Sequence, residues 1–137
     1  MFGHRQIGQK VLSEEARKSM RRRGMPEWAR EIVERMAAEH SERIDYVAGR
    51  SRRFKAVVAR QKAVYLIKEA KPKLSATQIG KWFDRDHTTI LHAIACHQEA
   101  NGLPRLSFYR LDRVRARNRH HAARQRAAMC RALKQAR

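Results

Sequence analysis

The chain has 137 residues, room for one small domain with extensions. Its 32 Lys+Arg against 13 Asp+Glu give a formal net charge of +19, which excludes an ordinary near-neutral domain and points to a polyanionic partner, nucleic acid first. No apolar run approaches the about 18 residues of a membrane span, and the start "MFGHRQIGQK" lacks the apolar core of a secretory signal. Only Cys96 and Cys130 occur, with no CxxC, so neither a disulfide scaffold nor a zinc site is expected and a cytoplasmic setting fits.

The charge is uneven. Residues 1–25 hold 7 basic and 2 acidic residues, and residues 105–137 hold 11 basic and only Asp112 as an acid. The middle holds 14 and 10, a nearly ordinary balance. The expected organisation is therefore a basic N-terminal extension (1–25), a helical domain (26–104) and a basic C-terminal arm (105–137), helical or disordered until it meets its partner.

In chain order, Pro26 suits the first turn of a helix whose Trp28, Ile32, Val33, Met36 and Ala37 form one apolar stripe. Ser41 is a candidate cap for a short helix, "ERIDYVA", closed by Gly49 as the residue just past its end. After the basic turn "RSRR" a long helix is expected from about Arg53 to Ala70, burying Phe54, Val57, Val58, Val64 and Ile67, with Pro72 ending it. Ser75 and Gln78 form an S-x-x-Q capping box before Ile79, Trp82 and Phe83. Asp86 then suits the N-cap of a helix running to about Ala100, stopped by "NG" at 101–102. On it Ile90, Leu91 and Ile94 share one face, while Thr88, Thr89, His92 and Cys96 fall opposite. A short helix, a tight turn and an amphipathic helix with a polar outer face make a helix-turn-helix pattern. Beyond Pro104, Phe108, Leu111 and Val114 suggest a helix over 105–116. The expected fold class is all-α.

The stretch "IGKWFDRDHTTILHA" resembles the signature of the C-terminal DNA-binding domain of the bacterial replication initiator DnaA. The upstream "GRSRRFKAVVARQKAVYLIKE" is similar to that domain's basic loop and following helix, so the resemblance covers roughly residues 26–102. Two departures stand out: the turn before Arg85 is shorter by one residue than the common glycine-containing form, and the link "KPKLS" is longer by about one. The resemblance implies that Asp86, His87, Thr88 and Thr89 enter the major groove. The chemistry agrees: threonine methyls suit the thymine methyl, and histidine can donate to purine N7 or O6. Asp86 can accept from cytosine N4, a role compatible with capping. The resemblance also implies that Arg52, with Arg50 and Arg53 beside it, enters an A·T-rich minor groove, where the negative potential is deepest. Arg60 and Gln61 match a DNA-contacting pair, and Arg85 lies in the signature itself. Lys68 and Lys81 are candidate phosphate contacts or solvated cations, and His92 faces DNA or packs beside it.

His92 and Cys96 at i, i+4 supply two ligands, too few for a metal site. No G-x-x-x-x-G-K-[ST] loop and no nucleophile–base pair occur, so neither a nucleotide cofactor nor catalysis is expected. The partner expected is double-stranded DNA with DnaA-box-like, A·T-rich sites, in a bacterium or phage, serving replication initiation or transcription. Two other readings stand beside it: an adaptor that contacts replication-initiation proteins, and a sequence-indifferent nucleoid or RNA binder driven by the basic arms.

Overall fold

The computed structural model describes the backbone of residues 3–107 and 109–135, and the side chains of that set from residue 13 onward. Phe108, expected among the apolar residues of a helix over 105–116, lies outside the described residues. Seven helices and no strand occur among the described residues, so the domain is all-α as its periodicity indicates.

Helix α1 (Gly3–Arg22) carries the first arginine run, yet it packs against α3. Ala16 and Met20, four residues apart on one face, are buried, and Met25 just past the helix is covered too. Arg17 pairs with Glu34, and Arg23 donates to the Ala48 carbonyl at 3.0 Å. Part of the segment read as an extension is thus core. The signal was an apolar pair inside a charge-dense run, too short to register as a stripe.

Helix α2 (Glu27–Glu39) follows Pro26 and buries Ala29, Val33, Met36 and Ala37, with Trp28 and Ile32 on the flank of that face. Ser41 caps no helix. It sits in the left-handed region (φ 51) at the end of α2, where Glu42 N–H reaches Ala37 O at 2.8 Å and Ser41 N–H reaches Ala38 O at 3.1 Å. These bonds satisfy α2's last carbonyls, and α3 (Ile44–Ala48) begins only after Arg43. Gly49 follows α3 in extended backbone, not a left-handed one; a Cβ there would lie 2.5 Å from Asp45 O.

Helix α4 (Phe54–Ala70) is the centre, with α2, α3 and α6 packed on it. Its core face is rich in small residues, Ala56, Ala59 and Ala63, which let the neighbours approach closely; Val64, Tyr65 and Ile67 complete it. That face turns the expected core residue Phe54 outward, 82 % exposed, and leaves Val57 and Val58 half-buried.

Helix α5 (Ala76–Phe83) starts at Ser75, whose Oγ accepts from Gln78 N–H at 3.1 Å. It buries Ile79, Trp82 and Phe83, and Trp82 meets Trp28 edge-on with centroids 6.1 Å apart. Helix α6 (His87–Asn101) turns Ile90, Ala93, Ile94 and His97 to the core and ends at Gly102, φ +60. The next segment is irregular. Tyr65 Oη donates to Pro104 O at 3.2 Å, and Leu106 N–H donates to Gln98 Oε1 at 3.1 Å, so its polar groups find partners without a helix. Helix α7 (Leu111–Gln135) therefore begins later than 105. Leu111 is buried and Arg115 pairs with Glu99 at 2.7 Å. From Arg115 to Gln135 every side chain except half-buried Ala122 is exposed.

Candidate nucleic-acid interface

Helices α5 and α6 meet at a turn of three residues, Asp84 to Asp86. Asp84 adopts the left-handed conformation (φ 52), and Arg85 N–H returns to Gly80 O at 2.8 Å. The turn closes this tightly because residue 80 has no side chain: a Cβ there would stand 2.4 Å from Arg85 O. Asp84 meets the turn's need for a left-handed residue without a glycine, aspartate being a type that tolerates that region.

The turn delivers the start of α6 to the surface. Asp86 takes the expected N-cap position (φ −67, ψ 152), but its carboxylate makes no capping bond and stays exposed. His87, Thr88 and Thr89 are exposed as well, immediately before the first buried residue, Ile90. An open groove of about 570 Å³ runs beside this helix start. Its lining includes Asp86, His87 and Thr89 of the helix start together with Arg50 and Arg52 of the α3–α4 loop. Lys81, Asp84 and Arg85 line it as well. Sequence-distant cations and the first turn of α6 therefore share one surface.

The cations differ in what holds them. Arg85 is half-buried and donates to Gly49 O at 3.1 Å, which joins the α5–α6 turn to the basic loop. Its Nε is buried without a hydrogen-bond partner. Burial lowers its pKa, Arg50 lowers it further, and Asp84 opposes both. Arg50 spans the groove to Asp84 at 3.1 Å, an exposed ion pair of small energetic weight. Arg53 leans on the Tyr46 ring at 5.3 Å and lies 3.5 Å from the Glu42 carboxylate. Arg52 is exposed and forms no ion pair with any described residue, so its guanidinium is the one in the loop left open to a ligand.

Three residues expected at the interface are placed otherwise. Arg60 is buried, donating to Val47 O at 2.8 Å, Tyr46 O at 2.6 Å and Ser51 O at 3.0 Å. It braces the basic loop from inside, and its pKa is pushed down to about 10 by burial and by Arg85. Lys68 Nζ holds the α4–α5 link, donating to Pro72 O at 2.7 Å and to Leu74 O. His92 lies under Tyr109, with a ring nitrogen 3.3 Å from the phenol oxygen and the rings edge to face at 6.0 Å. Gln61 is half-buried on the outer side of α4, and Lys81 is exposed. Sequence reasoning did not single out Asp84, the acid inside the basic groove, and it placed in the core the outward Phe54. The only sequence sign of the latter was the cations on both sides of it in "RRFK". No described helix is long and apolar enough to cross a membrane.

Comparison with known proteins bears on this surface. The chain is 36% identical over 72 residues to the chromosomal replication initiator protein DnaA of Deinococcus radiodurans, a match covering 53% of this chain and 15% of that protein. It is 35% identical over 65 residues to the same initiator of Deinococcus deserti, covering 47% and 14%. The matched region is thus a small part of either relative. No solved structure gives a significant match. Residues 29–96 match the family described as the bacterial DnaA protein helix-turn-helix, a stretch that contains the basic loop, the α5–α6 turn and the exposed start of α6. Through residues 29–96 the chain belongs to the bacterial DnaA helix-turn-helix family, a DNA-binding domain.

Proposed function

We propose that the protein binds double-stranded DNA at DnaA-box-like, A·T-rich sites and acts, in the cytoplasm at the nucleoid, in control of replication initiation or transcription. The observation that carries this reading is the shared groove, where the open first turn of α6 stands beside Arg50 and Arg52. His87 donates to a purine N7 or O6, Thr88 and Thr89 meet thymine methyls, and Asp86 accepts from cytosine N4. Arg52 enters the adjacent minor groove, while Arg50 and Lys81 meet phosphates. Arg60, Arg85, Lys68 and His92 act one step back by fixing the loop, the turn and the link. The exposed cations of α7 follow the phosphate backbone and add affinity without reading sequence. Selection of the purified protein against a random duplex pool, followed by sequencing, tests the reading. Enrichment of a TTATCCACA-like element is expected. A bound pool with no enriched element would favour a sequence-indifferent binder, and an unbound pool an adaptor working through replication-initiation proteins.

A further inference from the structure

We propose that Phe54, with Val57 and Val58 beside it, is an apolar DNA contact that meets the deoxyribose walls of the minor groove next to Arg52. Phe54 opens α4 on the side away from Ala56, Ala59 and Ala63, and 82 % of it is exposed. One exposed hydrophobic residue alone would need no explanation. Here the half-buried Val57 and Val58 stand at i+3 and i+4 and extend it into a continuous apolar strip. Gln61, one further turn along, lies on the same side of the helix. No aromatic ring or cation of the described residues stacks on Phe54.

What surrounds the strip selects its partner. Arg52, Arg53 and Lys55 are all exposed and flank Phe54 in sequence. A partner must therefore present apolar surface within reach of dense negative charge. The minor groove does so, since its walls are the C–H faces of the sugars between two rows of phosphates. Apolar side chains beside arginines are a recurring means of engaging that groove. An apolar protein surface would have to leave Arg52 and Lys55 uncompensated, since of the three only Arg53 has an acid beside it, Glu42.

The inference rests on the duplex-DNA reading above, and the salt dependence of binding separates the two. An apolar contact releases no counterions, so removing it lowers affinity without changing the slope of log K against log[salt]; removing a phosphate-neutralising cation changes the slope by about 0.9. Anisotropy titrations of the full chain, over a salt series, would use the selected box duplex with the wild type, Phe54→Ala, Phe54→Leu and Arg52→Ala. Phe54→Ala should bind roughly tenfold more weakly at every salt concentration, the scale of no longer burying much of one aromatic side chain. Its line should run parallel to that of the wild type, and Phe54→Leu should recover most of the loss. Wild-type affinity in Phe54→Ala would overturn the proposal. So would a flattened slope, which would mean that the loop and its arginines had collapsed. Unchanged DNA binding with altered sedimentation of Phe54→Ala would assign the strip to protein contact instead. His87→Ala distinguishes the levels: box affinity that falls in His87→Ala but not in Phe54→Ala sinks only this inference, whereas a wild type without box preference sinks the function it rests on.

Discussion

Arg60→Ala separates two roles that the same arginine could play. In the structure its guanidinium donates to three backbone carbonyls, of Val47, Tyr46 and Ser51, that converge from the end of α3 and the start of the basic loop. A hydrogen bond from a charged donor contributes about 1.5–3 kcal/mol, and removing the donor leaves its acceptors facing a gap that water fills only in part. Only the bond to Val47 O is fully buried, so the three do not count equally. The expected loss is about 3–4 kcal/mol of folding free energy, a large fraction of a small domain's stability. Urea unfolding followed by circular dichroism measures it, with an unchanged m-value expected if only the native state is affected. Arg60→Lys keeps the charge but cannot span three carbonyls, so it should recover only a minor part. DNA affinity should fall as well, because Arg52 and Arg50 then hang on an unbraced loop. Stability within about 0.5 kcal/mol of wild type, together with a large loss of DNA affinity, would refute this reasoning and make Arg60 a direct contact.

Gly80→Ala puts a Cβ 2.4 Å from the Arg85 carbonyl, so the α5–α6 turn must open; a loss of about 2–4 kcal/mol in urea unfolding and of box binding is expected. Asp84→Asn keeps a residue type that tolerates the left-handed conformation while removing negative charge from the groove and freeing Arg50. It should leave stability nearly unchanged and tighten DNA binding severalfold at low salt, as read by anisotropy. His97 is buried against Tyr65 and Asn101, and its pKa is lowered, chiefly by burial and then by the charges of Lys62 and His40. Its folded pKa therefore lies below an unfolded value near 6.5. The stability that its neutral form supports is fully present above that value and is lost as pH falls through the folded pKa. Urea midpoints measured from neutral to mildly acid pH should decline over that window, and His97→Gln should flatten part of the decline.

Much of this fold is legible in the sequence because its signals are local. The apolar stripe of α2, the Ser75 cap of α5 and the polar start of α6 each lie within one or two turns of chain. What the sequence does not display is convergence from a distance. Arg60 reads as a free cation until three carbonyls are seen to close on it, and Lys68 likewise until the link folds back over it. His92 reads as an outer-face histidine because its cover, Tyr109, comes from 17 residues further along. Met20 is hidden by the arginines around it. Phe54 reads as core because only the packed helix shows that the first turns of α4 bury Ala56 and Ala59 and not the larger Phe54, Val57 and Val58.

The central claim is that the first turn of α6 reads base sequence. It is tested most directly by comparing wild type with His87→Ala and Thr88→Ala on the selected box and on an unrelated duplex at the same salt. Both side chains are exposed, so neither substitution should alter folding. Each should cost about 1–3 kcal/mol on the box and almost nothing on the unrelated duplex, because these groups are placed to read base edges and not to neutralise phosphates. Equal losses on both duplexes, or no loss on either, would contradict the account.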